Sequence, residues 1–167
     1  GLPEEHGGSG GDPSDALLVM KGAGKFSAPI PIAENFLGRM LCSEFGLLAP
    51  KGITTFSDGS FSISPDGELS GSSSETAFGR WSDSVVLIAR HGDESYLCSC
   101  SREAFEIIEK NNFAGEPRDE ISIKTKLLDD QFILADGVSR RARLLGAASR
   151  VAQMSGALES ILEMSVS

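Results

Sequence analysis

The chain has 167 residues, 40% of them hydrophobic, and a formal net charge of −9. That length carries one ordinary domain, or one domain with helical flanks, and buries roughly two-thirds of its unfolded surface. The acidic balance argues against binding a nucleic-acid backbone, which needs clustered Lys and Arg, and the absence of any run of 18 apolar residues argues against a membrane-spanning helix. The three cysteines, Cys42, Cys98 and Cys100, have no disulfide-framework spacing. A reducing cytoplasm is the expected compartment. Neither histidine, His6 or His91, stands at ligand spacing to a cysteine, so no metal site is expected.

Residues 1–12 read as a turn-rich loop. GGSGG, at 7–11, has no strand before it and no GK[ST] after it, so it reads as a structural turn rather than a phosphate cradle. Glu4 and Glu5 are adjacent and diverge in direction, which suits solvated or capping roles rather than an acid–base pair. Asp12 or Ser14 can cap a helix that has Pro13 in its first turn and Leu17, Leu18, Val19, Met20 and Ala23 on its apolar face, ending near residue 26. Gly22 and Gly24 weaken that helix and point to close backbone packing. Pro29 and Pro31 force an extended link. A second helix over Ile32 to Phe45 presents Phe36, Leu37, Met40 and Leu41, with Gly46 as its stop.

After Pro50 the pattern changes to short alternating runs, and several strands at this spacing predict a small antiparallel barrel or sandwich. FSDGSFSISPDGELSG contains Asp-Gly twice, and each is read as a tight turn. DSVVLIAR reads as a buried strand, ESYLCSCS and EISIKTKLL as further strands, and AFEIIEKNN suits a helix turn or a strand. HGDES, with His91, is read as a hairpin tip, Cys98 and Cys100 as neighbours on one strand face, and Asp129–Asp130 as a turn. From about Ser139 the period is helical to the end, about 40 Å at 1.5 Å per residue. Leu144, Ala147, Ala148, Val151, Met154, Leu158, Ile161 and Leu162 form one long stripe, which needs partner helices. Gly146, Gly156 and Ala157 permit close packing, and Arg140, Arg141, Arg143 and Arg150 are read as ion pairs or a solvated face. No residue constellation carries a complete reaction.

Four stretches in order resemble the acyl-CoA dehydrogenase family. GLPEEHGGSGGDPSDALLVM resembles its GxPEExGGxG segment, residues 51–138 its β domain, FAGEPRDEISI the AGEPRD phrase of short, divergent bacterial members, and LLGAASRVAQMSGALESILEMSV the first helix of its C-terminal helical domain. The resemblance implies an α+β organisation: the end of an N-terminal helical domain at 1–48, a small antiparallel β-barrel middle domain at 49–138, and the first long helix of a C-terminal helical domain at 139–167. It implies that helical pieces precede Gly1 and follow Ser167. Members hold FAD and oxidise an acyl-CoA thioester to the 2-enoyl-CoA, pass electrons to an acceptor, and form homo- or hetero-oligomers. The family's glutamate base lies beyond this chain's end, so no catalytic residue is named.

Two stretches match the family's flavin-contacting segments. GITTFSDGSFS places Thr54 or Thr55 at the flavin-contacting Thr, without the family's Glu and Pro. GSSSETAFGRWSD keeps Gly71, Gly79 and Asp83, but Glu75 stands where the family has a Trp, and Thr76 and Ala77 stand for Ile and Thr. The implied cofactor-binding set is therefore Thr54, Thr55, Glu75, Thr76 and Ala77, with FAD the cofactor of the parent protein. The Glu75-Thr76-Ala77 replacement also favours an alternative: a non-catalytic partner subunit whose flavin site has decayed. Trp81, six positions away, is read as packing a loop.

Overall fold

The computed structural model describes Gly10 and residues 12–166. Glu4, Glu5, His6, most of GGSGG and the first half of the GxPEExGGxG-like segment lie outside the described residues.

The first helix, α1, spans Pro13–Lys25 and opens with a reciprocal cap: the Ser14 N–H donates to Asp12 Oδ1 at 2.9 Å and the Asp12 N–H to Asp15 Oδ2 at 2.9 Å. The second, α2, spans Ile32–Phe45 and ends on Gly46 at φ +78°, a left-handed stop that glycine takes without Cβ strain. Eight strands follow: β1 Thr54–Ser57, β2 Ser60–Ile63, β3 Glu68–Ala77, β4 Ser84–His91, β5 Glu94–Ser101, β6 Phe105–Ile108, β7 Arg118–Lys126 and β8 Phe132–Leu134. The third helix, α3, covers Val138–Ser165. The ambiguous AFEIIEKNN resolves into a short helical turn at Arg102–Ala104 and then β6.

One eight-stranded sheet runs β6-β7-β3-β2-β4-β5-β8, with β1 also against β4. It curls into a half-barrel, giving an α+β fold. Most pairs are antiparallel, but β1 and β2 both run parallel to β4, Thr54 opposite Ser84 and Ser62 opposite Arg90. This corrects the reading of the first Asp-Gly as a tight turn. Asp58-Gly59 is a step between two strands that continue in one direction. Gly59 is needed for approach rather than reversal, because a Cβ there would lie 2.4 Å from the Ser72 carbonyl oxygen. The second Asp-Gly is a true turn, with Gly67 at φ +85° donating its N–H to the Ser64 carbonyl. His91 and Glu94 close the β4–β5 hairpin around Gly92 and Asp93.

β4 is buried on both faces. Val85, Leu87 and Ala89 enter the interior of the half-barrel with Phe61, Leu69, Cys98, Cys100, Ile121 and Ile123. Val86 and Ile88 face the helices, with Leu41, Cys42, Leu97, Val138, Ala142 and Leu145. Burying each such Val, Leu or Ile contributes about 1.5–3 kcal/mol. All three cysteines are free and buried, and burial pushes the Cys42 and Cys100 thiols up to about 12.

The helices are fastened separately. Gly38 of α2 sits on β1, where a Cβ would meet Thr54 Cγ2 at 3.0 Å. Farther along α3, two glycines let backbones touch: a Cβ on Gly156 would lie 1.9 Å from the Lys21 carbonyl oxygen, and one on Gly24 would lie 2.0 Å from that of Gln153. Lys21 and Lys25 reach Glu159 across this crossing at 2.8 and 2.9 Å, and Lys25 reaches Glu163 at 2.6 Å. Gly146, by contrast, makes only an ordinary contact with Leu37. Of the four arginines in α3 singled out by sequence, Arg141 pairs with Glu44 and Arg150 with Glu34, while Arg140 and Arg143 are exposed. The long stripe of Leu144, Val151, Met154, Leu158, Ile161 and Leu162 is exposed, and the packed face consists of Val138, Ala142, Leu145, Ser149 and Gly156.

Asp119, from the GEPRD phrase, is fully buried and ties the β3–β4 connection to the loop before β7. Arg80 Nε donates to its Oδ1 at 2.9 Å, and the backbone N–H groups of Arg80 and Lys110 donate at 2.8 and 3.2 Å. Burial alone would raise this carboxyl. The hydrogen bonds from the Arg80 side chain and from the two backbone donors outweigh burial and hold it below the usual carboxylate range.

Two outcomes are expected. Gly156→Ala should lower stability by about 2 kcal/mol by forcing α1 and α3 apart. Gly22→Ala, with open space around the added methyl, should raise it by up to about 1 kcal/mol; urea melts of the two variants check the contrast. Asp119→Asn should cost about 3 kcal/mol at neutral pH. The depressed carboxyl stabilises fully above its unfolded pKa of about 3.9 and loses that contribution as pH falls through the lower folded value. The variant's stability should therefore fall less steeply than the native protein's below about pH 4 in a pH series of urea melts.

Candidate functional site

The register of β2, β3 and β7 builds the floor of a cleft. Ser60 lies opposite Ser72, and Ser72 opposite Ser122, so one row of exposed hydroxyls crosses three strands on the sheet face opposite the half-barrel core. Strict alternation along β3 would then turn Glu75 toward the core. It does not, because the pairing with β7 shifts between Ser73 and Thr76, where Ser74 and Glu75 together oppose Glu120. The bulge leaves Ser74 and Glu75 exposed and resets the alternation. Thr76 then faces inward beside Asp119, and Ala77 lies opposite Arg118.

The two helices wall this floor. The cleft has a volume of about 690 Å³. Ala33, Glu34 and Leu37 come from α2, Gly146, Ser149 and Arg150 from α3, and Phe56 from β1. Asp58, Gly59 and Ser60 form one rim, and Ser72 to Glu75, Ala77 and Arg118 the other. Arg150 holds the buried Glu34 carboxylate across the two helices. Ser149 donates its hydroxyl to the Leu145 carbonyl at 2.8 Å. A second cavity of about 400 Å³ adjoins the first, sharing Ser74, Glu75 and Arg118 and continuing to Lys110, Asn111, Asn112 and Phe113.

The five residues singled out by sequence fall into two groups. Thr54, Thr55 and Thr76 are buried and bonded within the protein. Thr54 Oγ1 lies 3.1 Å from Ser84 Oγ, and its N–H donates to Asn35 Oδ1 at 3.0 Å. Thr55 Oγ1 donates to the Ala77 carbonyl at 2.6 Å. Thr76 Oγ1 lies 2.9 Å from Ser57 Oγ. These bonds tie β1 to β3 and to β4, and bring the two sequence stretches together. Glu75 and Ala77 alone of the five line the cleft. Sequence reading missed Glu34, Asp58, Arg118 and Arg150. Asp58 and Arg118 lie in quoted stretches that gave them no site role, Glu34 and Arg150 lie in none that did, and only the tertiary fold puts α2, the Asp58–Gly59 step, β7 and α3 around one space. Trp81 is half-exposed and stacks at a tilt on Phe78, 5.5 Å between ring centroids, away from the cleft lining.

For a flavin the fit is partial. Ala77 and Glu75 offer a surface at the cleft, and Phe56 is the aromatic side chain lining it. The three threonine hydroxyls are engaged elsewhere among the described residues. No helix is long and apolar enough to cross a membrane among the described residues.

No protein-family model and no curated protein matches the chain. Solved structures do. The ChsE4-ChsE5 complex from Mycobacterium tuberculosis matches with a TM-score of 0.88 at 18% identity, covering 99% of this chain and 52% of that one. The Tcur3481-Tcur3483 steroid ACAD G363A variant matches at 0.81 and 14%, covering 98% and 51%. The FAD complex of PigA matches at 0.78 and 15%, covering 99% and 55%. The chain thus spans about half the length of the structures it matches. Over its described residues, this chain has the fold of the acyl-CoA dehydrogenase family, in a divergent form.

Proposed function

We propose that the chain is the central region of an FAD-dependent acyl-CoA dehydrogenase that oxidises an acyl-CoA thioester to the 2-enoyl-CoA. In this reading the sheet and helices form one wall of the thioester and flavin cleft. The observation that carries it is the cleft itself. Its floor includes Glu75 and Ala77, from the stretch that resembles a flavin-contacting segment, and it lies between helices from both flanks of the sheet. FAD, were it held beside Glu75 and Ala77, would supply the acceptor for the two-electron oxidation. Glu75 and Ala77 would lie beside the flavin, with Thr54, Thr55 and Thr76 behind them shaping the strands. In this reading none of the described residues is assigned the base's role. The chain's sheet orients the ligand and its helices exclude water. The acyl-CoA, an electron acceptor and an oligomeric partner belong to the whole protein.

A second reading is favoured by one observation. A carboxylate stands at position 75, and the threonine hydroxyls nearby are bonded internally, which suits a flavin-free subunit supporting a catalytic partner. A structural relative is itself a complex of two named chains, ChsE4 and ChsE5.

The full-length protein distinguishes the two readings. The enzyme reading expects a flavin absorption spectrum that bleaches on adding acyl-CoA under anaerobic conditions. A colourless protein that takes up no added FAD would overturn it and leave the partner-subunit reading.

A further inference from the structure

We propose that Glu34 is a ligand-binding residue of the cleft, where its free carboxylate oxygen accepts a hydrogen bond from a hydroxyl carried by the acyl group. The inference rests on the reading of this cleft as a thioester site and adds the functional group that it selects.

Two arginine–glutamate pairs pin α2 to α3, one near each end of α2, and they are built in opposite ways. Arg141 grips Glu44 with two donors, Nε to Oε2 at 2.6 Å and Nη2 to Oε1 at 2.5 Å, so both carboxylate oxygens are taken. Arg150 gives Glu34 one bond, Nη2 to Oε1 at 2.5 Å, and turns Nη1 to Gln153 Oε1 at 2.7 Å. No other donor reaches the Glu34 carboxylate among the described residues. Yet Glu34 is the more deeply buried of the two, its side chain 7% exposed against 25% for Glu44. Burial raises the cost of an unmet charge, so a pair built for helix docking alone would be fully bonded at its buried end. Here the buried end is one bond short.

The spare oxygen opens on the cleft. Among the described residues, no side-chain oxygen sealed from solvent lacks a partner. Glu34 Oε2 lacks one, so it is not sealed, and the space that Glu34 lines is the cleft. Ser149 and Arg150 line it too. The Ser149 hydroxyl proton is committed to the Leu145 carbonyl and cannot fill the role. Arg150 keeps N–H groups beyond its two bonds, since a guanidinium has five. The wall thus offers an acceptor, Glu34 Oε2, on the same ion pair as unspent donors. A hydroxyl answers both, because one oxygen donates and accepts. The pair is neutral in sum, so an ammonium would add a positive charge beside Arg150, and a carboxylate would face Glu34. A methylene chain would cover the oxygen and return no hydrogen bond.

The test is calorimetric titration of the full-length protein with hexanoyl, 3-hydroxyhexanoyl and 6-hydroxyhexanoyl thioesters of N-acetylcysteamine, the two hydroxyl positions spanning the chain. One hydroxylated ester should bind about tenfold more tightly than the hexanoyl ester. Glu34→Gln should cut that ratio to about threefold or less while leaving the helices pinned. Arg150 can only donate, so the amide oxygen takes its bond and the NH2 group replaces the free acceptor. Glu44→Gln, the same change at the other pin, should keep the full preference, which separates ligand binding from helix docking. Equal or tighter binding of the hexanoyl ester, absence of binding by all three, a full preference in Glu34→Gln, or an equal loss in Glu44→Gln would overturn the inference. Its failure is separable from that of the enzyme reading. A flavin that bleaches without any hydroxyl preference sinks the role of Glu34 alone, and a preference in a colourless protein sinks the redox reading alone.

Discussion

Two hydrophobic cores share one strand, and the rest of the architecture follows from that. β4 is apolar on both faces, so it can be neither an edge nor a solvent-facing strand. Its odd-numbered residues Val85, Leu87 and Ala89 fill the half-barrel, and Val86 and Ile88 hold α2 and α3 against the outside. The helices therefore cover the part of the outer face above β1, β4 and β5. Over β2, β3 and β7 the same face carries serines instead. The cleft lies where the helix-covered and hydroxyl-covered halves meet.

Close backbone contacts then set where the helices can lie. Gly38 brings α2 onto β1, and Gly24 and Gly156 bring α1 and α3 together. A packed interior transmits such constraints because it has little free volume to absorb a shift. The Glu34–Arg150 pair spans the remaining distance between α2 and α3 at the cleft itself. On the far side, the buried Asp119 and its hydrogen bonds from Arg80 and Lys110 hold the β3–β4 connection in register with β7, so the bulge at Ser74 and Glu75 is built on a fixed base.

The site that results differs in character from an apolar acyl tunnel. Its helix side is small and partly apolar, and its sheet side is hydroxylic and charged. Buried threonines stand behind the floor, where their hydroxyls bond strand to strand. Short polar side chains can serve either as ligand contacts or as internal ties. Which role each takes depends on the pleat direction at its position.

Much of this was legible in the sequence. The bounds of α2, its glycine stop, the cap of α1, the β4–β5 hairpin, the buried character of β4 and the helical final stretch all follow from local rules: periodicity, capping chemistry and turn residues act over a few positions, and those positions are contiguous in the chain. The family resemblance likewise pointed to the right fold. What only the tertiary structure decided depends on partners distant in sequence. Asp58-Gly59 is a step rather than a turn because β4 offers a parallel edge to both β1 and β2. Glu75 faces the cleft because β7 offers the single residue Glu120 opposite both Ser74 and Glu75. Thr54, Thr55 and Thr76 are bonded within the protein because Ser84, Ala77 and Ser57 receive them. Arg118, Glu34 and Asp58 meet around one space only after the sheet curls and the helices dock. No local pattern encodes that, because each contact is set by the geometry of a strand or helix elsewhere in the chain.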